Sequence, residues 1–324
     1  MSIFRRSSIA ICALAGIFSI ATANAQNYPT SPIRIISGFG AGSAGDVLVR
    51  LLLPKLSKSL GQQVIIEHKP GAGSNIAAEF VVRSPADGYT LFLATSANTI
   101  NATFSPNLPF DITKDLVPIT LLGSVPNLLV VHPSLGVTNL REFIALAKSK
   151  PDQISYATSG LGTLSHMSGE LLNFLASIKL LHVPYQGSAQ AIADVLSGRV
   201  SAFFVPVNIV LPHVEAGKLT ALAVTASTRS AMAPNVPTMA EAAGLPRYES
   251  AIWYGLLAPA GTPRDAIDKL SRAINEALKA EDTQAAMRNQ GIGPAGGSPE
   301  EFARAIDTDT KKWREVITAA GLKR

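Results

Sequence analysis

The sequence predicts an α/β protein of two domains, each a mostly parallel sheet flanked by helices. Three observations carry this expectation. Residues 33–94 read strand, helix, strand, helix, strand, an order whose right-handed crossovers lay down a parallel sheet. The pattern restarts near Pro126, and the middle of the chain repeats strand, Gly/Ser/Thr loop, helix. The 324 residues are 47% hydrophobic and 16% charged, an ordinary globular composition long enough for two cores. The expected boundaries are 26–125 plus 251–324 for a discontinuous first domain and 126–250 for the second.

The first residues belong to neither domain. Arg5 and Arg6 form a basic segment, Ile9 to Ile20 an apolar one, and Ala23-Asn24-Ala25 a small-x-small cleavage site. The apolar stretch is too short to span a bilayer, so residues 1–25 read as a cleavable export signal. The flanks of the arginine pair fit the twin-arginine route poorly, which leaves the general secretory route. Removing this segment takes away two arginines and no acid, lowering the formal charge from +5 to +3. That balance is too weak and scattered for a nucleic-acid binder. The single cysteine, Cys12, leaves with the signal, so no disulfide, thiol nucleophile or thiolate metal ligand is expected in the mature chain.

Taken in order, Ile33 to Ser37 is a short apolar strand. It runs into Gly38-Phe39-Gly40-Ala41-Gly42-Ser43-Ala44-Gly45-Asp46, and a helix follows to Leu60 with Val47, Leu48, Leu51, Leu52 and Leu56 on one face. Pro54 should kink that helix or loosen its last turns, and Gly61 ends it. Val64 to Ile66 is a second strand. Ser74 is a candidate cap for a helix to about Val82. Tyr89 to Ala94 is a third strand, ending in the polar loop Thr95-Ser96-Ala97-Asn98. Beyond Pro126 come strands at 128–131, 154–157, 181–183, 200–204 and 219–224, with helices at 140–148 and 164–176 and another ending at Gly198. The apolar run 251–258 crosses back toward the first domain. Pro263 starts a helix at its first position, and Ser298-Pro299-Glu300-Glu301 is a capping-box start for a last helix with Phe302, Ile306, Trp313 and Ile317 inward.

The chemistry points to an anion site. The first backbone N–H groups of a helix have no internal partners, and the macrodipole adds partial positive charge there. Glycines at 38, 40, 42 and 45 allow close backbone approach, and Ser43 adds a hydroxyl. Together they form an anion cradle that needs no Arg or Lys. Gly40 to Gly45 is also a literal G-x-G-x-x-G, with Glu67 at the end of the next strand, as a dinucleotide fold would place them. Export argues against that alternative. The five histidines lack metal-ligand spacing, no metal or other cofactor is expected, and no G-x-S-x-G elbow or Walker lysine is present. Ser43, Ser96, Ser159 and Thr163 read as hydroxyl donors rather than nucleophiles. An exported enzyme in the same cleft would need a titratable pair facing its substrate, and these loops offer only Asp46. His166, in the first turn of its helix, reads as a structural hydrogen bonder or a ligand contact. Trp253 and Tyr254 read as core aromatics or as a hinge or cleft wall.

The mature chain resembles the periplasmic substrate-binding proteins of tripartite tricarboxylate transporters, the family expanded in Bordetella. The resemblance is carried by Tyr28-Pro29-Thr30-Ser31-Pro32-Ile33-Arg34, Lys69-Pro70-Gly71-Ala72-Gly73, Pro85-Ala86-Asp87-Gly88-Tyr89-Thr90-Leu91, His182-Val183-Pro184-Tyr185-Gln186-Gly187-Ser188, Pro237-Thr238-Met239-Ala240-Glu241-Ala242 and 253–263. It implies a type II, Venus-flytrap clamshell that closes on a small mono- or dicarboxylate and passes it to membrane subunits, or signals to a sensor protein. A monomer is expected. The ligand contacts expected on its loops are Phe39, Ala41, Gly42, Ser43, Ala44, Gly45, Asp46, Ser96, Asn98, Ser159, Thr163, Tyr185 and Gln186, with His166 and Val205 added from the reading of the residues themselves. Two departures matter. The family often has Lys where Gln186 stands, and many members have Asp-Asn where Val205-Pro206 stand. With Phe39, these make the expected wall more apolar, favouring a hydrocarbon or aromatic body.

Overall fold

The computed structural model describes residues 28–105, 107–185 and 187–322. The expected export signal and Gln186 lie outside the described residues. The first elements are β1 (Ile33–Ser37), α1 (Ala44–Leu60), β2 (Val64–His68), α2 (Asn75–Val82), β3 (Thr90–Thr95) and α3 (Ser96–Phe104). The middle holds β4 (Leu116–Val131), α4 (Leu140–Ser149), β5 (Ser155–Thr158), α5 (Leu164–Ala176), β6 (Leu181–Pro184), α6 (Ser188–Leu196), β7 (Ala202–Pro206), α7 (Val207–Glu215), β8 (Thr220–Val224) and α8 (Met239–Ala243). The chain closes with β9 (Ala251–Pro259), α9 (Arg264–Lys279), α10 (Glu281–Asn289), β10 (Gly293–Pro294) and α11 (Pro299–Ala319).

The strands form one curled mixed sheet in the order β2-β1-β3-β9-β4-β7-β5-β6, with β8 and β10 pairing β4 off this path. Each half has a parallel trio: β1 between β2 and β3, and β5 between β6 and β7. The joint is antiparallel. β3 pairs β9, β9 pairs β4, and β4 pairs β7. The 16-residue β4 belongs to both halves: Leu116–Pro126 runs along β9, and Asn127–Val131 along β7.

Both faces of β1 and β3 are buried, as helices on either side demand, while the edge strand β2 is half-buried. Ile33, Ile35, Leu91 and Leu93 pack with Leu48 and Leu52 of α1 and Ile267 and Ile274 of α9. Ile36, Phe92 and Ala94 point the other way, toward Ala77 and Val81 of α2 and Phe302 and Ile306 of α11. In the second half, Leu128, Val130, Phe203 and Val205 pack with α6 and α7, while Leu129, Tyr156 and Phe204 pack with α4 and α5. The last helix, α11, straddles the two. Phe302 and Ile306 lie in the first half's core, and Trp313, Val316 and Ile317 in the second's. Trp313 is fully buried, the core anchor expected of it.

Two local expectations change, at Ser74 and at 95–98. Helix α1 runs through Pro54 to Leu60 and ends, as expected, at Gly61 in the left-handed region. Pro54 is on the exposed face, where water can take the carbonyl that the missing N–H releases. Ser74 makes no capping hydrogen bond, because it is itself left-handed at φ 78°. The polar stretch 95–98 is not a loop but the start of α3. Thr95 accepts from the Ala97 amide, and Asn98 accepts from the Thr95 amide. An Asn in place of Glu or Gln hides this capping box from the sequence pattern.

Candidate functional site

Two loops of one design follow β1 and β5, one on each half of the sheet. After β1, the Ser43 amide bonds the Gly40 carbonyl, Gly42 takes φ 80°, and Ser43 caps α1 by accepting from the Asp46 amide at 3.4 Å. After β5, the Thr163 amide bonds the Gly160 carbonyl, Gly162 takes φ 73°, and Thr163 caps α5 by accepting from the His166 amide at 3.4 Å. In each loop the third helical residue reaches back to the glycine before the cap. The Gly42 N–H donates to Asp46 Oδ2 at 2.9 Å, and the Gly162 N–H donates to His166 Nδ1 at 3.2 Å. Strand-end hydroxyls brace both loops: Ser37 accepts from Phe39 N and Thr158 from Gly160 N. The amides of Ala44 and Gly45, and of Leu164 and Ser165, have no acceptor among the described residues. These four N–H groups, each pair at the positive end of a helix, are what the site offers an anion.

The residues Asp46 and His166 are therefore framework. Asp46 is 2% exposed and also accepts from Arg50 Nε at 2.9 Å and contacts His68 Nε2 at 2.8 Å. Burial alone would raise its pKa. Hydrogen bonds from Arg50, Gly42 and His68 and the Arg50 charge outweigh burial and hold it at about 2. His166 is 1% exposed and stacks on His182, ring centroids 4.0 Å apart. Burial, then the neighbouring His182, pushes its pKa down to about 3, so the ring is neutral and Nδ1 is free to accept. Burial lowers His182 to about 4, and its Nε2 sits 2.8 Å from Thr158 Oγ1.

Other expected contacts divide. Ala41 and Gly42 are exposed, and Phe39, Ser43, Ala44, Ser159 and Thr163 half-buried, at the rims of the two loops. Gly45 is buried because the Tyr254 ring covers it: an added Cβ would lie 3.0 Å from that ring. Ser96 and Asn98 are each 2% exposed in the first turn of α3. Asn98 Nδ2 is buried with no partner. The Tyr185 hydroxyl donates to Asp194 at 2.7 Å, so it serves α6. Val205 does not form a cleft wall. It is fully buried opposite Leu128, in the second core. Successive strand residues face opposite ways, so the next residue, Pro206, reaches the cleft instead.

The two halves meet around these loops. Gly162 lies against Phe104 at the end of α3, with an added Cβ only 3.0 Å from the ring. Ser165 donates to the Phe204 carbonyl, tying α5 to the end of β7. A chamber of about 260 Å³ separates the start of α1 (Gly42, Ala44, Val47) from the start of α7 (Pro206, Asn208, Ile209). Of this wall, sequence reasoning offered Tyr254 as a cleft wall but missed Val125, Ile209 and Ile292, which carry no local signal of proximity. Elsewhere, Asp309 of α11 accepts from Thr99 of α3 at 2.6 Å and from Trp253 Nε1 at 2.9 Å, and pairs with Lys312 at 2.7 Å. Glu67, the acid a dinucleotide's ribose would need, instead faces Arg34 at 3.7 Å. No group of three or more metal-ligating side chains occurs among the described residues.

Two helix starts with unpartnered amides, one on each half of a sheet joined by antiparallel strands, fit the architecture of a two-domain ligand-binding protein of the periplasmic clamshell type. The comparisons agree and narrow it. Residues 48–322 match the family described as tripartite tricarboxylate transporter family receptor, and the chain belongs to that family. It is 36% identical over 321 residues to Protein BugT of Bordetella pertussis, covering 97% of this chain and 98% of the relative. The structure of Rpa4515 from R. palustris with adipate superposes with TM-score 0.76 at 33% identity, over 92% of this chain and 100% of the other. MatC from Rhodopseudomonas palustris with bound malate gives TM-score 0.72 at 30% identity, over 90% and 100%.

Proposed function

We propose that this chain is an exported solute-binding protein, not an enzyme, that captures a small carboxylate between its two halves and delivers it to the membrane subunits of a tripartite tricarboxylate-type transporter. The observation that carries this reading is the paired N-termini of α1 and α5, one on each half of the sheet, each with two amides unpartnered among the described residues and no cationic side chain in its loop. A carboxylate touching both halves favours the closed state by its differential affinity for it. On this reading the second domain is 126–250. The remainder forms the first, and α11 spans both. The protein acts as a periplasmic monomer after loss of residues 1–25. The backbones at 41–45, the rims Phe39, Ser43, Ser159 and Thr163, and the unpartnered Asn98 amide face the ligand side. Relatives with bound adipate and malate support a carboxylate as the ligand class.

A thermal-shift screen of the mature protein against carboxylates, amino acids and nicotinamide dinucleotides tests this. A carboxylate at 100 times its Kd should add about 2.7 kcal/mol. Stabilisation by a dinucleotide and by no acid overturns the proposal.

A further inference from the structure

The second loop is fixed at two points, and one side chain touches both. His166 holds the first point, its Nδ1 accepting from the Gly162 N–H at 3.2 Å. Thr158 holds the second, its hydroxyl accepting from the Gly160 N–H at 3.4 Å. His182 comes from the edge strand β6, where it pairs in register with Tyr156. Its Nε2 contacts Thr158 Oγ1 at 2.8 Å, and its ring lies on the His166 ring, centroids 4.0 Å apart and 16° from parallel. The same ring stacks on Tyr156 at 5.1 Å, and Tyr156 donates to Glu170 of α5 at 2.6 Å. Burial keeps His182 neutral, with its pKa pushed down to about 4. An aliphatic side chain would fill this half-buried place on an edge strand equally well. It would leave the fully buried Thr158 hydroxyl without its short contact. The first half repeats the device with a charged partner. His68, at the end of edge strand β2 opposite Ser37, contacts Asp46 at 2.8 Å, and Ser37 accepts from the Phe39 N–H. In each half, then, an edge-strand histidine reaches a residue that fixes the loop.

We propose that His182 is a positioning residue for ligand capture, which sets the shape of the second binding loop, Thr158 to Thr163, through Thr158 and His166 rather than by touching the ligand. The binding part of this inference rests on the carboxylate reading above. The loop part rests on geometry alone. Losing the Nε2 contact frees the Thr158 hydroxyl to turn away from Gly160. The loop then samples several shapes, and the fraction of molecules ready to bind falls.

Isothermal titration of the mature protein tests this, with adipate, malate and benzoate as probes. His182→Phe keeps a ring against His166 and Tyr156 and removes Nε2. It should weaken the tightest-binding probe about tenfold, while the melting temperature of the ligand-free protein moves by less than about 2 °C. His182→Gln, whose amide extends toward the place of Nε2, should recover most of the affinity. Thr158→Val removes the other partner of the same contact. The double variant with His182→Phe should therefore bind no more weakly than either single one, whereas independent effects would multiply to about a hundredfold. Amide hydrogen exchange in the ligand-free protein reads the loop directly: Gly160 should exchange faster in His182→Phe than in the original or in His182→Gln. Full affinity in His182→Phe, or effects that multiply in the double variant, overturns this inference and leaves the carboxylate reading in place. If the unmodified protein binds none of the three acids, the carboxylate reading falls instead. Hydrogen exchange then decides the positioning role, and equal Gly160 exchange in all three proteins overturns it.

Discussion

Replacing Asp46 by Asn removes one charge and leaves the shape of the first binding loop almost unchanged. The structure sets the cost. The carboxylate is 2% exposed and receives the Gly42 amide, the Arg50 guanidinium and His68. Its pKa, lowered from 3.8 to about 2, corresponds to about 2.5 kcal/mol favouring the charged form in the folded protein. An Asn oxygen can keep the Gly42 amide. The Arg50 side chain is 54% exposed, so water recovers part of that pair. The expected loss is therefore about 2 kcal/mol, read as a lower midpoint in urea at pH 7 with an unchanged slope. The sign with pH follows from linkage. An acid with a depressed folded pKa stabilises fully above its unfolded value and loses that contribution as pH falls through the folded one. The gap between the original protein and Asp46→Asn should thus close between about pH 4 and pH 2. A deficit below about 0.5 kcal/mol at pH 7, or one that stays constant down to pH 2.5, refutes the assignment of Asp46 as the loop's electrostatic frame.

Three further outcomes are expected. Gly42→Val forces a β-branched residue to φ 80°, which should cost about 1–2 kcal/mol and weaken carboxylate binding at least tenfold; unchanged affinity in titration calorimetry would count against the loop as the anion cradle. His166 and His182 are held neutral, at about 3 and about 4, so below pH 6.5 the unfolded chain binds protons the folded one refuses, and the melting temperature should fall steadily from pH 6.5 toward pH 4. A flat profile over that window would show that the stacked pair opens before it titrates. Asp309→Asn leaves Thr99, Trp253 and Lys312 sharing a neutral acceptor, and should destabilise by about 2 kcal/mol with a shift in Trp253 emission; an unaltered spectrum would mean that α11 is held to α3 and β9 by packing alone.

The local devices were legible because they follow local rules. An apolar run, then Gly, Ser or Thr, then an amphipathic stretch can only be a strand feeding a helix N-terminus, and the chain does this at Ile33 to Leu60 and again at Ser155 to Ala176. The same neighbourhood logic placed Ser298 and Glu301 in their box and His166 as a hydrogen bonder, but it read Ser43 and Thr163 as loop hydroxyls rather than as the caps they are. It failed where side chains are chosen by distant partners. Whether Val205 or Pro206 faces the cleft depends on the register of β7 against β4, and one residue reverses the answer. That β4 runs 16 residues through both halves was masked by Pro118 and Pro126, which pairing along β9 accommodates. The chamber gathers Val47, Val125, Ile209, Tyr254 and Ile292 from across the chain, and α11 divides its apolar face between two cores. The order of strands, loops and helix starts thus lay within the amino-acid sequence, since each depends on a few successive residues. The apolar room between the halves arose only from tertiary packing, which brings together residues that no local interaction relates.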